Sequence, residues 1–242
     1  MIGVIGGMGP LATADFLNKV IGSTSAEDDA EHVPMLISCD PRIPPRPAAI
    51  LHGSESPLPR LREIRDRLIA GGATTLVMPC NTAHYWYDEL VADCPVPFLS
   101  IVEAGCDAAA RIARPGSAVV VAATRATLRS QLYEAALAQR GLSALLPTDA
   151  ELDELLLPAI AHVKAGRVAS SGPLALRALD SFARRGATCA LLACTELPVA
   201  LGAANEHPRI ECIDATLELA RQTVRHWQGA PQTAPHGRAR AP

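Results

Sequence analysis

Apolar residues along this chain alternate between short continuous runs and helical spacing, and the alternation occurs twice. Ile2 to Ile5 is a short apolar run closed by Gly6 and Gly7. Leu11, Ala14, Leu17, Val20 and Ile21 then recur at the spacing of one helix face. Met35 to Ser38 reads as a second buried strand. The PRIPPRP stretch that follows is too rich in proline for a helix interior or a central strand, so it is expected to be a loop. Leu58, Leu61, Ile64, Leu68 and Ile69 predict a helix stopped by Gly71. Thr74 to Met78 is a third strand that ends at Pro79-Cys80, Ala83 to Ala92 a helix, and Val96 to Leu99 a fourth strand.

The pattern then restarts. Ala118 to Ala122 predicts a strand, Leu128 to Arg140 a helix stopped by Gly141, and Ala144 to Leu146 a strand. Leu152, Leu155, Leu156, Ile160 and Val163 mark a helix with a bend at Pro158. Leu174 to Arg185 is another helix, with Pro173 suited to its first turn. Cys189 to Ala193 is a strand leading to Cys194, Ile210 to Ile213 a late strand, and Leu217 to Trp227 a closing helix. Strands alternating with helices predict an α/β fold with parallel sheets, and ligands bind outside the carboxyl ends of such strands. Two pseudo-symmetric lobes are expected, each a parallel sheet flanked by helices, with the site in the cleft between them. Residues 1–98 plus 208–228 are assigned to the first lobe, since the last strand and helix are expected to return to it. Residues 99–207 form the second, and 229–242 lack periodicity and are expected to be disordered.

Composition narrows the function classes. Of 242 residues, 49% are hydrophobic and 19% charged, which suits a soluble globular chain. A net charge of −3 offers no basic field for nucleic acid, and 3% aromatic residues offer few stacking platforms. No apolar run reaches the roughly 18 residues of a membrane span, and MIGVIGGMGP lacks the basic start of a signal peptide. Seven dispersed cysteines, an odd number with no CxxC pair, point to a reducing cytoplasm rather than disulfides or structural zinc.

Two of those cysteines stand in two copies of one pattern. GGATTLVMPCNTA carries Cys80 and RGATCALLACTEL carries Cys194, aligned at an offset of 114 residues so that Gly72 meets Gly186 and Thr74 meets Thr188. Each thiol follows an apolar strand and precedes residues able to open a helix, Asn81-Thr82 and Thr195-Glu196. Unpaired N–H groups and the positive end of a helix dipole there are expected to pull a thiol below its free value of roughly 8.5. The other five cysteines read as small buried hydrophobes. Cys80 and His84, four apart, could share a helix face as metal ligands, but two ligands do not make a site and the second copy has no histidine there. A disulfide between the two thiols requires Cα atoms within about 7 Å, which a substrate-sized cleft does not allow.

The stretches GVIGGMGPLATADF, RIPPRPAAIL, VMPCNTAH, VKAG and ACTELP resemble the aspartate/glutamate racemase superfamily, and its aspartate racemases in particular, up to about Trp227. The resemblance implies a two-lobed α/β enzyme that inverts an amino acid without pyridoxal phosphate, metal or other cofactor, often as a homodimer, its partner a small amino-acid substrate. Cys80 and Cys194 are then the acid and base on opposite faces of the substrate Cα. Arg46 and Lys164 hold the carboxylates, and Gly9, Asn81, Thr82, Ala83, Thr124 and Thr195 complete the binding set. His84 and Glu196 are auxiliary candidates. The CTE motif, where glutamate racemases carry CTH, favours the aspartate branch. IPPRP in place of IPDRT, and Arg125-Ala126 in place of Thr-Gly, leave the exact substrate open.

Other readings compete. Gly7-Met8-Gly9-Pro10-Leu11-Ala12 satisfies the dinucleotide-binding pattern G-x-G-x-x-G/A between a strand and a helix, with Asp40 about 30 residues on rather than the usual ~20. Arylmalonate decarboxylases, maleate isomerases and hydantoin or broad-specificity amino-acid racemases share the architecture. A non-catalytic amino-acid-binding protein would not need either thiol.

Overall fold

The computed structural model describes residues 1–114 and 116–229; the disorder expected for 229–242 falls, apart from Gly229, outside the described residues. Chain order is β1 (Ile2–Gly6), α1 (Pro10–Ser23), β2 (Met35–Cys39), α2 (Arg46–His52), α3 (Leu58–Ala70), β3 (Thr75–Val77), α4 (Tyr87–Val91), β4 (Phe98–Leu99) and α5 (Ile101–Ile112). It continues with β5 (Ala118–Ala123), α6 (Arg125–Arg129), α7 (Leu132–Ala138), β6 (Ser143–Leu145), α8 (Leu157–Lys164), α9 (Gly172–Arg184), β7 (Cys189–Ala193), α10 (Glu196–Gly202), β8 (Glu211–Asp214) and α11 (Ala215–Gly229). Two four-stranded parallel sheets result, with orders β2-β1-β3-β4 and β6-β5-β7-β8. The second order repeats the first, as the duplicated sequence requires.

Strands β1, β3 and β7 are buried along their whole length. That explains their unbroken apolar runs, because helices cover both faces of a parallel sheet. One core lies between the halves and joins Phe16 and Val20 of α1, Ala108 of α5 and Leu219 and Val224 of α11 to the inner faces of β5 and β7. Separate clusters fill the outer face of each sheet. The duplicated Gly72 and Gly186 both adopt positive φ, 94° and 85°, as each helix turns into the strand that delivers a cysteine. A side chain would be strained at either position.

Several expectations are corrected. Strand β8 pairs with β7, Cys189 opposite Glu211, so it stays in the second sheet. The apolar run could not reveal which sheet edge it would join. The duplication did contain the answer, since β8 follows β7 as β4 follows β3. Helix α11 packs on both α1 and α5, and its His226 Nε2 lies 3.0 Å from Thr75 Oγ1 in the first sheet. The proline-rich loop ends earlier than expected, because Arg46 and Pro47 form the first turn of α2, where proline costs no hydrogen bond. The helix expected over Leu128–Arg140 is broken at Ser130-Gln131, with Gln131 left-handed at φ 55°. The helix expected over Ala83–Ala92 begins as a 3₁₀ segment, Thr82–Trp86, before α4. The helix marked by Leu152 begins as a π segment, Glu151–Leu156, and Pro158 lies in the first turn of α8. Helix α5 was not predicted, although it carries an N-cap, Ser100 accepting from the N–H of Glu103 at 3.4 Å, while the helix opening expected at Thr195-Glu196 is the start of α10. Among the described residues no helix is long and apolar enough to cross a membrane.

Candidate active site

The strand ends place both cysteines in one cavity. Cys194 follows β7 directly, and Cys80 lies three residues past β3 in a tight turn, its N–H donating to Met78 O at 2.8 Å. Each is 5% exposed. The cavity is lined by Cys80, Asn81 and Thr82 from the first half and by Thr124, Lys164, Cys194, Thr195 and Glu196 from the second. Arg46 and Pro47 at the start of α2, together with Met8, close it. Its volume is about 10 Å³, room for roughly one water.

Cys194 donates to Glu196 Oε2 at 3.0 Å, and the Thr195 hydroxyl donates to the same oxygen at 3.3 Å. Lys164 Nζ lies 3.8 Å from Glu196 Oε1, an ion pair beyond hydrogen-bond length. Complete burial, and secondly the Glu196 charge, push the Cys194 thiol well above its ordinary value. This corrects the expectation of a lowered value at a helix start. Desolvation and an adjacent carboxylate outweigh the dipole of a seven-residue α10. Cys194 is therefore held as a thiol with its proton directed at Glu196.

The first-half residues are anchored from behind. Thr82 Oγ1 lies 2.8 Å from Thr127 Oγ1 and 3.2 Å from Thr124 Oγ1. The Asn81 Oδ1 accepts a hydrogen bond from the Tyr133 hydroxyl of α7. Buried atoms without a hydrogen-bond partner remain on Asn81 (Nδ2), Arg46 (Nε) and Glu196 (Oε1). Arg46 also donates through Nη1 to Ile43 O and Pro44 O, both at 3.1 Å, which stiffens its own loop. That loop is tied down by Asp40, which accepts from Arg60 Nε at 3.0 Å and Arg42 Nε at 3.1 Å. Arg60 first, and then Arg42, hold the Asp40 carboxyl far below the usual range.

His84 stands outside the cavity. Its Nδ1 lies 2.9 Å from Cys80 O and its Nε2 accepts from the Ile101 N–H at 3.2 Å. The second contact makes Nε2 the acceptor, so Nδ1 carries the hydrogen and donates to the carbonyl. Both nitrogens are used, which leaves none for a metal shared with Cys80. Burial lowers the His84 pKa to about 4, so the ring is neutral. Ala83 is fully buried and does not line the cavity. Gly9 is adjacent to it, and a Cβ there would come within 3.7 Å of Glu196 Oε1. That carboxylate faces the glycine turn where a dinucleotide would need to set its pyrophosphate, which argues against the nucleotide reading. Arg125 turns away into ion pairs with Asp149 and Asp153. Met8, Thr127 and Tyr133 were missed. Tyr133 reads as an ordinary core position of an amphipathic helix, and no local signal marks its partner.

Comparison with known proteins identifies the family. Residues 5–223 match the family described as Asp/Glu/hydantoin racemase. The chain is 29% identical over 237 residues to a broad specificity amino-acid racemase of Bacillus subtilis, covering 93% of this chain and 96% of the relative. It superposes on the aspartate racemase of Picrophilus torridus with a TM-score of 0.82 at 29% identity, covering 94% of each chain. An aspartate racemase homologue from Pyrococcus horikoshii shares the fold at a TM-score of 0.72 and 22% identity, over 94% of this chain and 98% of that one. With both thiols, the duplicated sheets and this match spanning most of its length, the chain belongs to the Asp/Glu/hydantoin racemase family and is an isomerase.

Proposed function

We propose that the protein interconverts L- and D-aspartate, or a related acidic amino acid, by proton transfer at Cα between Cys80 and Cys194. The observation that carries this reading is the set of groups lining one cavity. Two thiols share it with two donors that make no hydrogen bond, Asn81 Nδ2 and Arg46 Nε, and with one acceptor, Glu196 Oε1, that faces Lys164 without a hydrogen bond. Buried polar atoms without partners are costly, so a ligand that completes them is favoured. An amino-acid zwitterion supplies a carboxylate for the donors and an ammonium for the acceptor. A second carboxylate suits the Arg46 fork.

Inversion needs a base on one face of Cα and an acid on the other. Cys194 begins as the acid, since it is held protonated against Glu196. Cys80, as thiolate, takes the Cα proton. The electron pair left behind is stabilised on the α-carboxylate by the Asn81 amide and the Thr82 and Thr195 hydroxyls. Cys194 then delivers its proton to the opposite face, and Cys80 carries the one removed. In the reverse direction the roles exchange: Cys194, left as thiolate, takes the Cα proton, and Cys80, left as thiol, returns its own to the other face. Access requires the walls to part, because about 10 Å³ cannot hold an amino acid. Helix α2, which buries none of its residues, is the wall with the least packing to hold it closed.

A broad-specificity racemase is the second reading. The Bacillus subtilis relative favours it, as does the partial use of the Arg46 guanidinium by its own loop carbonyls. Deuterium exchange at Cα in D₂O, followed by NMR over a panel of L- and D-amino acids without pyridoxal phosphate, tests both. Exchange and inversion are expected with aspartate, and loss of both in Cys80→Ala and in Cys194→Ala. Exchange with neutral amino acids at equal rate would favour the second reading. Exchange surviving both substitutions would overturn the mechanism.

A further inference from the structure

The racemase reading gives Asn81 a substrate-facing amide, and its orientation is set from the other half of the molecule. Tyr133 is fully buried on α7, and its hydroxyl donates to Asn81 Oδ1. Burial raises the phenol far above its ordinary value, so that hydrogen is always present. Among the described residues the Tyr133 hydroxyl has no other acceptor. Turning the amide over would leave the phenol hydrogen unsatisfied in the core, a costly state.

The backbone around Tyr133 is shaped for this contact. The helical run that begins at Arg125 stops at Ser130, and Gln131 takes φ 55°, the only positive value at a non-glycine residue among those described. A second helix, α7, then starts at Leu132 and brings Tyr133 beneath Asn81. An uninterrupted helix would point the ring elsewhere. Left-handed backbone at a residue with a Cβ persists only where the surroundings over-determine it. The same segment supplies Thr124 and Thr127 to the Thr82 hydroxyl. Asn81 and Thr82 thus belong to the first half by sequence and to the second half by hydrogen bonding.

We propose that Tyr133 is a positioning residue that fixes the Asn81 side chain with its NH₂ toward the cavity, so that the site presents a pure donor to the substrate α-carboxylate. With Oδ1 committed to Tyr133, the amide atom Asn81 has left for a ligand in the cavity it lines is Nδ2, which makes no hydrogen bond. An amide free to flip would spend part of its time offering an oxygen, which repels a carboxylate. The role of the contact in catalysis rests on the racemase reading; the contact itself does not.

A double-mutant cycle tests it. Tyr133→Phe keeps the ring and removes only the hydroxyl. In the wild-type background it is expected to lower kcat/KM for L-aspartate roughly tenfold, the effect of one hydrogen bond. In an Asn81→Ala background, the same substitution is expected to change kcat/KM less than twofold. Equal losses in both backgrounds would show a general structural effect and overturn the proposal. The side-chain amide resonances of Asn81 in ¹⁵N-labelled protein give a readout independent of turnover. They are expected to shift and broaden in Tyr133→Phe, with the backbone spectrum otherwise retained. Unchanged amide resonances would overturn the proposal even if activity fell. If the wild type racemises no amino acid, the racemase reading fails, and these resonances alone decide whether Tyr133 orients Asn81.

Discussion

Glu196 is the residue on which the asymmetry of this site turns. Its carboxylate accepts from Cys194 and Thr195 through one oxygen and faces Lys164 and the glycine turn with the other. The two halves therefore present chemically similar thiols in different electrostatic settings. Replacing Glu196 with Gln removes the charge that helps hold the Cys194 proton. The Cys194 thiol should then titrate at lower pH, because a neighbouring anion disfavours thiolate. Thiolate absorbance measured across a pH series in a Cys80→Ala background checks this. An unchanged or raised titration would show that Glu196 does not act on this thiol.

At the scale of elements, the outcome depends on how short pieces end. Helix α2 places Arg46 in its first turn, and Asp40 with Arg60 and Arg42 pins the loop before it. Arg46→Ala is expected to raise KM for aspartate roughly tenfold to a hundredfold, the range for a lost charged hydrogen bond. For alanine it should raise KM by much less. Steady-state kinetics with both substrates decide, and an equal effect on both would show that Arg46 does not read the side-chain carboxylate. The strands were legible because a doubly covered parallel strand is a local apolar run ended by glycine or proline. The helix breaks were not. Nothing in Leu128–Arg140 announces that Gln131 leaves the helical region, since the reason is a partner 52 residues earlier in the chain. Helix α5 was missed although its cap at Ser100 is a local signal, because Ile101–Ile112 follows β4 with almost no punctuation.

For the whole molecule, His84 joins the turn that carries Cys80 to the helix that starts at Ile101. It bonds the Cys80 carbonyl and the Ile101 N–H while remaining neutral. Its pKa falls from 6.5 to about 4 on folding. Between those values the unfolded chain binds more protons than the native one, so this contribution is present above about pH 6.5 and is lost as pH falls toward 4. The loss amounts to roughly 3 kcal/mol. Urea denaturation at intervals from pH 7 to 4 should show the decline, and His84→Gln should flatten it while lowering stability at pH 7. An equally steep decline in that variant would assign the effect to other groups.

The sequence by itself determined the α/β alternation, the duplication and the two thiols, since these rest on local period and on a motif repeated at a fixed offset. The family resemblance added Arg46 and Lys164, and the fold sets both beside the thiols with Asn81. Only the tertiary structure decided which sheet receives β8, that Cys194 keeps its proton, that His84 serves the backbone rather than the cavity, and that Tyr133 sets Asn81. Each of these depends on burial or on a contact between distant parts of the chain. Desolvation and long-range hydrogen bonds leave no periodic trace in the order of the residues.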